Sequence, residues 1–153
     1  HFHYVMAVAG TFSIFGGVYY LYPKMTGRMY NEFIGKIGFW ITFIGVNTVF
    51  MPMMISGIDT GMPRRYWDYS QIAGMDGYQH IMSIGAGFIF VGFLFTLINW
   101  LQGLFKGEKV GRNPWGSRSL EWTHCDSPPG HGNFDPIPNL PEEWSPYAYG
   151  SHK

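Results

Sequence analysis

Three long stretches of the chain carry no Asp, Glu, Lys or Arg, and polar segments separate them. Residues 1–23 run uncharged to Pro23-Lys24, residues 37–58 lie between Lys36 and Asp59, and residues 77–105 lie between Asp76 and Lys106. A helix that crosses a bilayer needs about 20 consecutive, mostly apolar residues. The second and third stretches meet that length in full. The first meets it if it starts at or near the membrane edge. The pattern therefore predicts an all-α membrane protein with transmembrane helices over about 1–23, 37–58 and 77–105. Gly10, Gly16, Gly17, Gly38, Gly45, Gly85, Gly87 and Gly92 recur along these stretches. Small residues let helix backbones approach closely in lipid, so Gly16-Gly17 and Gly85-Ala86-Gly87 read as packing faces. No phosphate-loop pattern accompanies them.

Residues 106–153 are different material, dense in Pro, Gly, Asn and Trp: Asn113-Pro114-Trp115-Gly116, Pro128-Pro129-Gly130, and the run from Pro136 to Pro141. The aromatic content argues against free disorder. This tail reads as an irregular segment laid on a partner surface or on the inner face of the helices. It also dilutes an apolar front, so the mean hydropathy of −0.02 conceals the three spans. Only 13% of residues are charged, against about 25% in ordinary soluble chains. Net charge is zero, and nothing suggests a nucleic-acid partner. The single Cys125 excludes an intrachain disulfide and a paired-cysteine metal site. The chain opens without an initiator Met or a signal-peptide pattern, so the expectation is a piece of a longer protein or one part of a split polypeptide.

Loop charge predicts the topology. Lys24, Arg28 and Lys36 follow the first span, and Lys106, Lys109, Arg112 and Arg118 follow the third. With three spans both groups lie on one side, which the positive-inside rule places in the cytoplasm or its equivalent. Loop 59–76 and the head of the chain then lie outside.

Two features of that outer end stand out. The first is His1-Phe2-His3 at the head of the first span. On an α-helix, positions i and i+2 point roughly 200° apart, so His1 and His3 do not readily share one metal. Two separate axial ligands, one for a haem on each side, is the reading that gives both imidazoles a role. The second is Gly61-Met62-Pro63-Arg64-Arg65, an arginine pair on the side where the positive-inside rule disfavours it. A short loop tolerates two charges; alternatively the pair meets buried anions, for which Arg is suited. The propionates of a haem would satisfy the second reading, and one site would then explain both features.

Other candidates carry plainer readings. Met51, Met53 and Met54 flank Pro52; methionine binds soft copper, but these residues more simply pack space around a proline kink. Asn47 in mid-span reads as an interhelical hydrogen bonder. Glu32 and Lys36 form an i, i+4 surface pair, and Trp40, Trp67 and Trp100 fit interfacial belts. His80 reads as an interfacial or hydrogen-bonded histidine, and His124, His131 and His152 as surface residues of the tail.

The ordered set of motifs resembles subunit I of the haem-copper cytochrome c oxidases. The residues that carry the likeness are His1-Phe2-His3-Tyr4-Val5, Tyr22-Pro23-Lys24-Met25-Thr26-Gly27-Arg28, Asn31-Glu32, Gly35-Lys36-Ile37-Gly38-Phe39-Trp40, Gly61-Met62-Pro63-Arg64-Arg65-Tyr66, Asn113-Pro114-Trp115-Gly116 and Leu120-Glu121-Trp122. The resemblance implies the last three helices of a twelve-helix bundle, followed by a tail on the cytoplasmic or matrix side. It implies that His1 ligates the iron of a high-spin haem facing copper, that His3 ligates the iron of a low-spin haem, and that Phe2 lies between the two haem edges. Arg64 and Arg65 would bind haem propionates. The copper ligands, the cross-linked tyrosine, the second low-spin ligand and most proton-channel residues belong to earlier helices, outside this chain.

The implied activity is reduction of oxygen to water with electrons from cytochrome c, coupled to proton pumping. Two haems of A type and a copper ligated elsewhere are the implied cofactors. The implied partners are the remainder of subunit I, subunits II and III, cytochrome c and membrane lipid, with a respiratory supercomplex as a larger setting. The location is a bacterial or mitochondrial inner membrane. Quinol oxidases of the same superfamily typically carry Asn after the histidine pair and Thr in the arginine loop; Tyr4 and Pro63 here favour the cytochrome c branch. Two further readings stand beside this one: a non-enzymatic dihaem electron carrier, and a structural membrane subunit whose histidines are incidental.

Overall fold

The computed structural model describes residues 1–62 and 66–133. A π-helical turn, Tyr4–Val8, leads directly into α1 (Ala9–Thr26), followed by α2 (Glu32–Asp59), α3 (Met75–Lys106) and a short α4 (Leu120–Thr123). Three helices, Tyr4–Thr26, Glu32–Asp59 and Met75–Lys106, are long and apolar enough to cross a membrane. Helix is what such glycine-rich sequences must form in lipid, where no water satisfies the backbone and each N–H and C=O must bond within its own segment. Among the described residues there is no β-strand, only an isolated bridge between Arg28 and Lys109.

The helices outrun the uncharged stretches. At about 1.5 Å per residue α3 is about 48 Å long and α2 about 42 Å, more than the ~30 Å hydrocarbon core requires. The charged residues Glu32, Lys36, Asp59, Asp76 and Lys106 that bound the uncharged stretches are therefore helical. Glu32 and Asp76 sit in first turns and Lys106 in a last turn, where each charge opposes the helix dipole. Likewise α1 continues through Pro23 and ends at Thr26, because Gly27 adopts a left-handed backbone (φ +68°) that stops it.

Among the described residues, 1–14 and 32–99 form one compact unit, and 15–31 with 100–133 form another. In the first, α2 and α3 meet through small and polar residues. A Cβ on Gly45 would stand 2.7 Å from the backbone nitrogen of Ile89, and one on Gly85 would stand 2.9 Å from that of Val49. Thr42, Ser56, Thr96 and Asn99 are buried. The Thr42 and Thr96 hydroxyls donate to the carbonyls of Gly38 (2.8 Å) and Gly92 (3.1 Å), one turn back on their own helices. Large apolar side chains such as Phe33, Ile58, Ile84 and Phe90 are turned outward. Such an inverted distribution suits a lipid or protein environment rather than water.

The second unit is built on aromatic rings. Tyr22 is buried, donates to the carbonyl of Trp100 and meets the edge of Tyr30. The two basic segments run side by side: Met29 N–H donates to Glu108 O (2.9 Å), Val110 N–H to Gly27 O (3.1 Å), and the Arg28 guanidinium to Gly107 O (2.8 Å). Residues 107–133 fold against the end of α1. Trp122 is fully buried, its ring edge on Tyr20 and its indole N–H donating to the Tyr20 hydroxyl at 2.6 Å.

Candidate functional site

His1, Phe2 and His3 lead into the π-helical turn, and all three are exposed. The Val5 N–H donates to the His1 carbonyl at 3.0 Å, an α-helical i→i+4 bond. From His1 to His3, ahead of the π-turn, the backbone thus keeps the α spacing that sends His1 and His3 to opposite sides. Neither imidazole has a hydrogen-bond partner among the described residues; the His3 ring meets Phe2 edge to face at 5.5 Å. Exposed imidazoles on an apolar helix, with ring nitrogens uncommitted, fit the role of single axial ligands. Among the described residues no three His, Cys, Asp or Glu side chains form a metal-binding cluster. Two haems held by one histidine each would not produce one.

The helix switches from α to π spacing immediately after His3, which the hydrophobic pattern does not reveal. Tyr4 anchors that turn to α2. Its hydroxyl donates to the Asn47 side-chain oxygen at 2.5 Å, and its ring stacks on Phe50 at 5.5 Å and 17°. Asn47 in turn donates its amide to the Phe43 carbonyl at 2.8 Å. Asn47 is thus the interhelical hydrogen bonder that its mid-span position suggests.

Arg64, Arg65 and Pro63 lie outside the described residues. Tyr78 at the head of α3 donates to Asp59 at the end of α2 (2.9 Å). Within the loop Asp68 accepts from both the backbone N–H of Ser70 (3.0 Å) and its hydroxyl (2.8 Å). These bonds hold the Asp68 carboxyl below the usual carboxylate range.

Some plain readings match the geometry and others change. Glu32 and Lys36 pair at 2.7 Å on an exposed surface, and His80 Nδ1 bonds the Asp76 carbonyl at 2.7 Å. Trp40 and Trp67 are exposed. Trp100, expected in an interfacial belt, packs its ring against Phe15 and Tyr19, with its indole N–H buried and unpartnered among the described residues. Met51 and Met53, expected to fill space around Pro52, are instead exposed on α2. His124, expected at the surface, is half-buried and bonded to the Thr123 hydroxyl at 2.8 Å. His131 is exposed, and His152 lies outside the described residues.

Lys24 departs furthest from its expected place. Rather than a solvated loop charge, it is a helical residue only 7% exposed. Its ammonium donates to the carbonyls of Arg112 (3.0 Å) and Cys125 (2.7 Å) and lies 4.7 Å from the centre of a Trp122 ring. The tail supplies every one of these contacts. The only sequence signal is the joint presence of a lysine at a helix end and a tryptophan-rich tail.

Residues 1–88 match the family model described as Cytochrome C and Quinol oxidase polypeptide I. The chain belongs to this family. It is 41% identical over 141 residues to the alternative cytochrome c oxidase subunit 1 of Bradyrhizobium diazoefficiens, covering 88% of the chain and 23% of that relative. It is 43% identical over 151 residues to cytochrome c oxidase subunit 1 of Synechocystis sp., covering 98% of the chain and 26% of the relative. With cytochrome c oxidase subunit 1 of Alkalihalophilus pseudofirmus the identity is 38% over 141 residues, 92% of the chain and 22% of the relative. The chain therefore spans about a quarter of the length of these relatives. Family membership and three apolar helices together make it an integral membrane portion of an oxidase subunit I.

Proposed function

We propose that this chain serves the catalytic subunit of a terminal respiratory oxidase by holding two haem irons, the high-spin one through His1 and the low-spin one through His3. The reading is supported by a pair of exposed imidazoles, uncommitted among the described residues, two positions apart at the head of one helix, within a family of cytochrome c and quinol oxidases. When bound, the haems supply one-electron transfer and, with a copper ligated by other parts of the subunit, reduction of oxygen to water. His1 and His3 each offer a neutral ring nitrogen and set the direction from which the iron is held. A ligating nitrogen must be free of its proton, so acidification weakens both attachments. Phe2 keeps an apolar ring between the two ligands. Arg64 and Arg65 neutralise haem propionates and so stabilise the anionic edge of the cofactor.

In this reading the electron donor is cytochrome c, which the names of the relatives favour over a quinol. The haems are of A type, electron transfer is coupled to proton pumping, and the partners are the remainder of subunit I, subunits II and III and lipid, within a respiratory supercomplex as the larger setting. The segment from residue 106 faces the cytoplasm or matrix, on the side of the seven basic residues, Lys24 to Arg118, that follow the first and third uncharged stretches.

The test is a pair of variants in the purified oxidase. His3→Ala should abolish the low-spin haem signal and leave the high-spin haem bound, while His1→Ala should do the reverse. Retention of both haems in either variant overturns the assignment of that histidine.

A further inference from the structure

We propose that Tyr4 and Asn47 are positioning residues for the haem ligand His3: their bond holds the π-helical turn and thereby fixes the direction in which His3 leaves the helix. The inference rests on the reading of His3 as an axial ligand. Three observations carry it. The turn Tyr4–Val8 begins at the residue next to His3. Its first residue is the one held from outside the helix, by a 2.5 Å bond to Asn47 and a stacked contact with Phe50. Asn47 and Phe50 are three apart on α2, hence on one face of it, and Asn47 is itself oriented by its bond to the Phe43 carbonyl.

The physical consequence concerns rotation. A π-turn closes its hydrogen bonds over one more residue than an α-turn, and isolated π-turns persist only where surroundings support them. Relative to an unbroken α-helix, one inserted residue rotates everything before it by roughly 100° about the axis. The segment before this turn is His1-Phe2-His3. Releasing Tyr4 from α2 lets the turn relax toward α spacing and swings both imidazoles with it. His3 is next to the held residue and feels the change first. The hydroxyl and the ring of Tyr4 act separately: the ring packs on Phe50, and the hydroxyl selects the rotational setting by reaching one acceptor.

The test uses the purified oxidase carrying Tyr4→Phe, Asn47→Leu, both together, His3→Ala, and Thr48→Val as a control. Thr48 lies beside Asn47, and its hydroxyl bonds, among the described residues, the Ile44 carbonyl of its own helix alone, at 2.8 Å. Reduction equilibria and low-temperature paramagnetic resonance of the low-spin haem are the readouts. Tyr4→Phe keeps the stacked ring, so folding is preserved while the bond is lost. Each single variant should shift the low-spin haem's reduction equilibrium by about fivefold, the weight of one net hydrogen bond, and alter its resonance. The double variant should shift no further than the larger single one, and Thr48→Val should match the parent. An unchanged equilibrium and resonance in Tyr4→Phe, with His3→Ala lacking the low-spin haem, overturns the positioning role alone. A low-spin haem that survives His3→Ala overturns the ligand reading beneath it.

Discussion

Gly45→Ala should destabilise the α2–α3 contact, although alanine is the better helix former. The added methyl would stand 2.7 Å from the Ile89 backbone nitrogen and 2.9 Å from both the Gly85 carbonyl oxygen and the Phe88 Cβ. Non-bonded heavy atoms prefer about 3.5–4.0 Å, so the helices must separate by roughly 1 Å. Two of the three obstacles are backbone atoms, which no rotamer change moves aside. Overpacking of this kind costs about 1–3 kcal/mol, and separation also opens the contacts around Gly85 and Gly92. Helix propensity returns at most about 1 kcal/mol. The net loss is about 1 kcal/mol, roughly fivefold in an equilibrium constant. Gly87 is the internal comparison, since it lies on α3 with nothing within 4 Å of its added Cβ. Circular dichroism melts of the purified protein in detergent should show Gly45→Ala unfolding below the parent and Gly87→Ala at or above it. Coincident melts for the two alanine variants would refute the claim that α2 and α3 meet backbone to backbone at Gly45.

Further outcomes follow from the second unit and the outer loop. Lys24→Met removes a charged donor from two carbonyls and should weaken docking of residues 107–133 by about 2 kcal/mol, read as faster limited proteolysis of that segment. Trp122→Phe loses the bond to Tyr20 and should destabilise, whereas Trp100→Phe loses no indole bond found among the described residues and should cost less in the same melts. Asp68 holds Ser70 only while ionised. Its folded value lies below its unfolded one, so the stabilisation is complete above about pH 3.9 and fades as pH falls through the folded value. Protection of the Ser70 amide, taken relative to its intrinsic exchange rate, should therefore fall at acid pH, and Asp68→Asn should show low protection without that pH step.

The uncharged stretches made the three helices legible, because lipid leaves apolar segments of that length little alternative to helix. The helix ends were not legible from charge: Glu32, Asp59 and Lys106 are helical, since a helix may leave the hydrocarbon and keep its bonds in the headgroup layer. Pro23 was a misleading stop signal, the effective one being Gly27 with its left-handed backbone. Local pairs were readable wherever spacing alone decides, as for Glu32 with Lys36. Long-range partners were not. Asn47 announced an interhelical bond by its polarity in mid-span, but its partner Tyr4 is set by the π-turn, which leaves no mark in the hydrophobic period. The burial of Lys24 depends on carbonyls of Arg112 and Cys125, and backbone acceptors have no sequence signature. The histidine pair stood out by its cost at the head of an apolar span; the arginine pair, equally conspicuous, lies outside the described residues.

The proposal that His1 and His3 hold two different haems of an oxygen-reducing enzyme stands or falls on a reduced-minus-oxidised optical spectrum of the native assembly, repeated with carbon monoxide. Two haem signals, only one of which shifts with carbon monoxide, are the expected result. Two haems that both ignore carbon monoxide would contradict it in favour of an electron carrier, and the absence of any haem signal would remove the ligand role from both histidines.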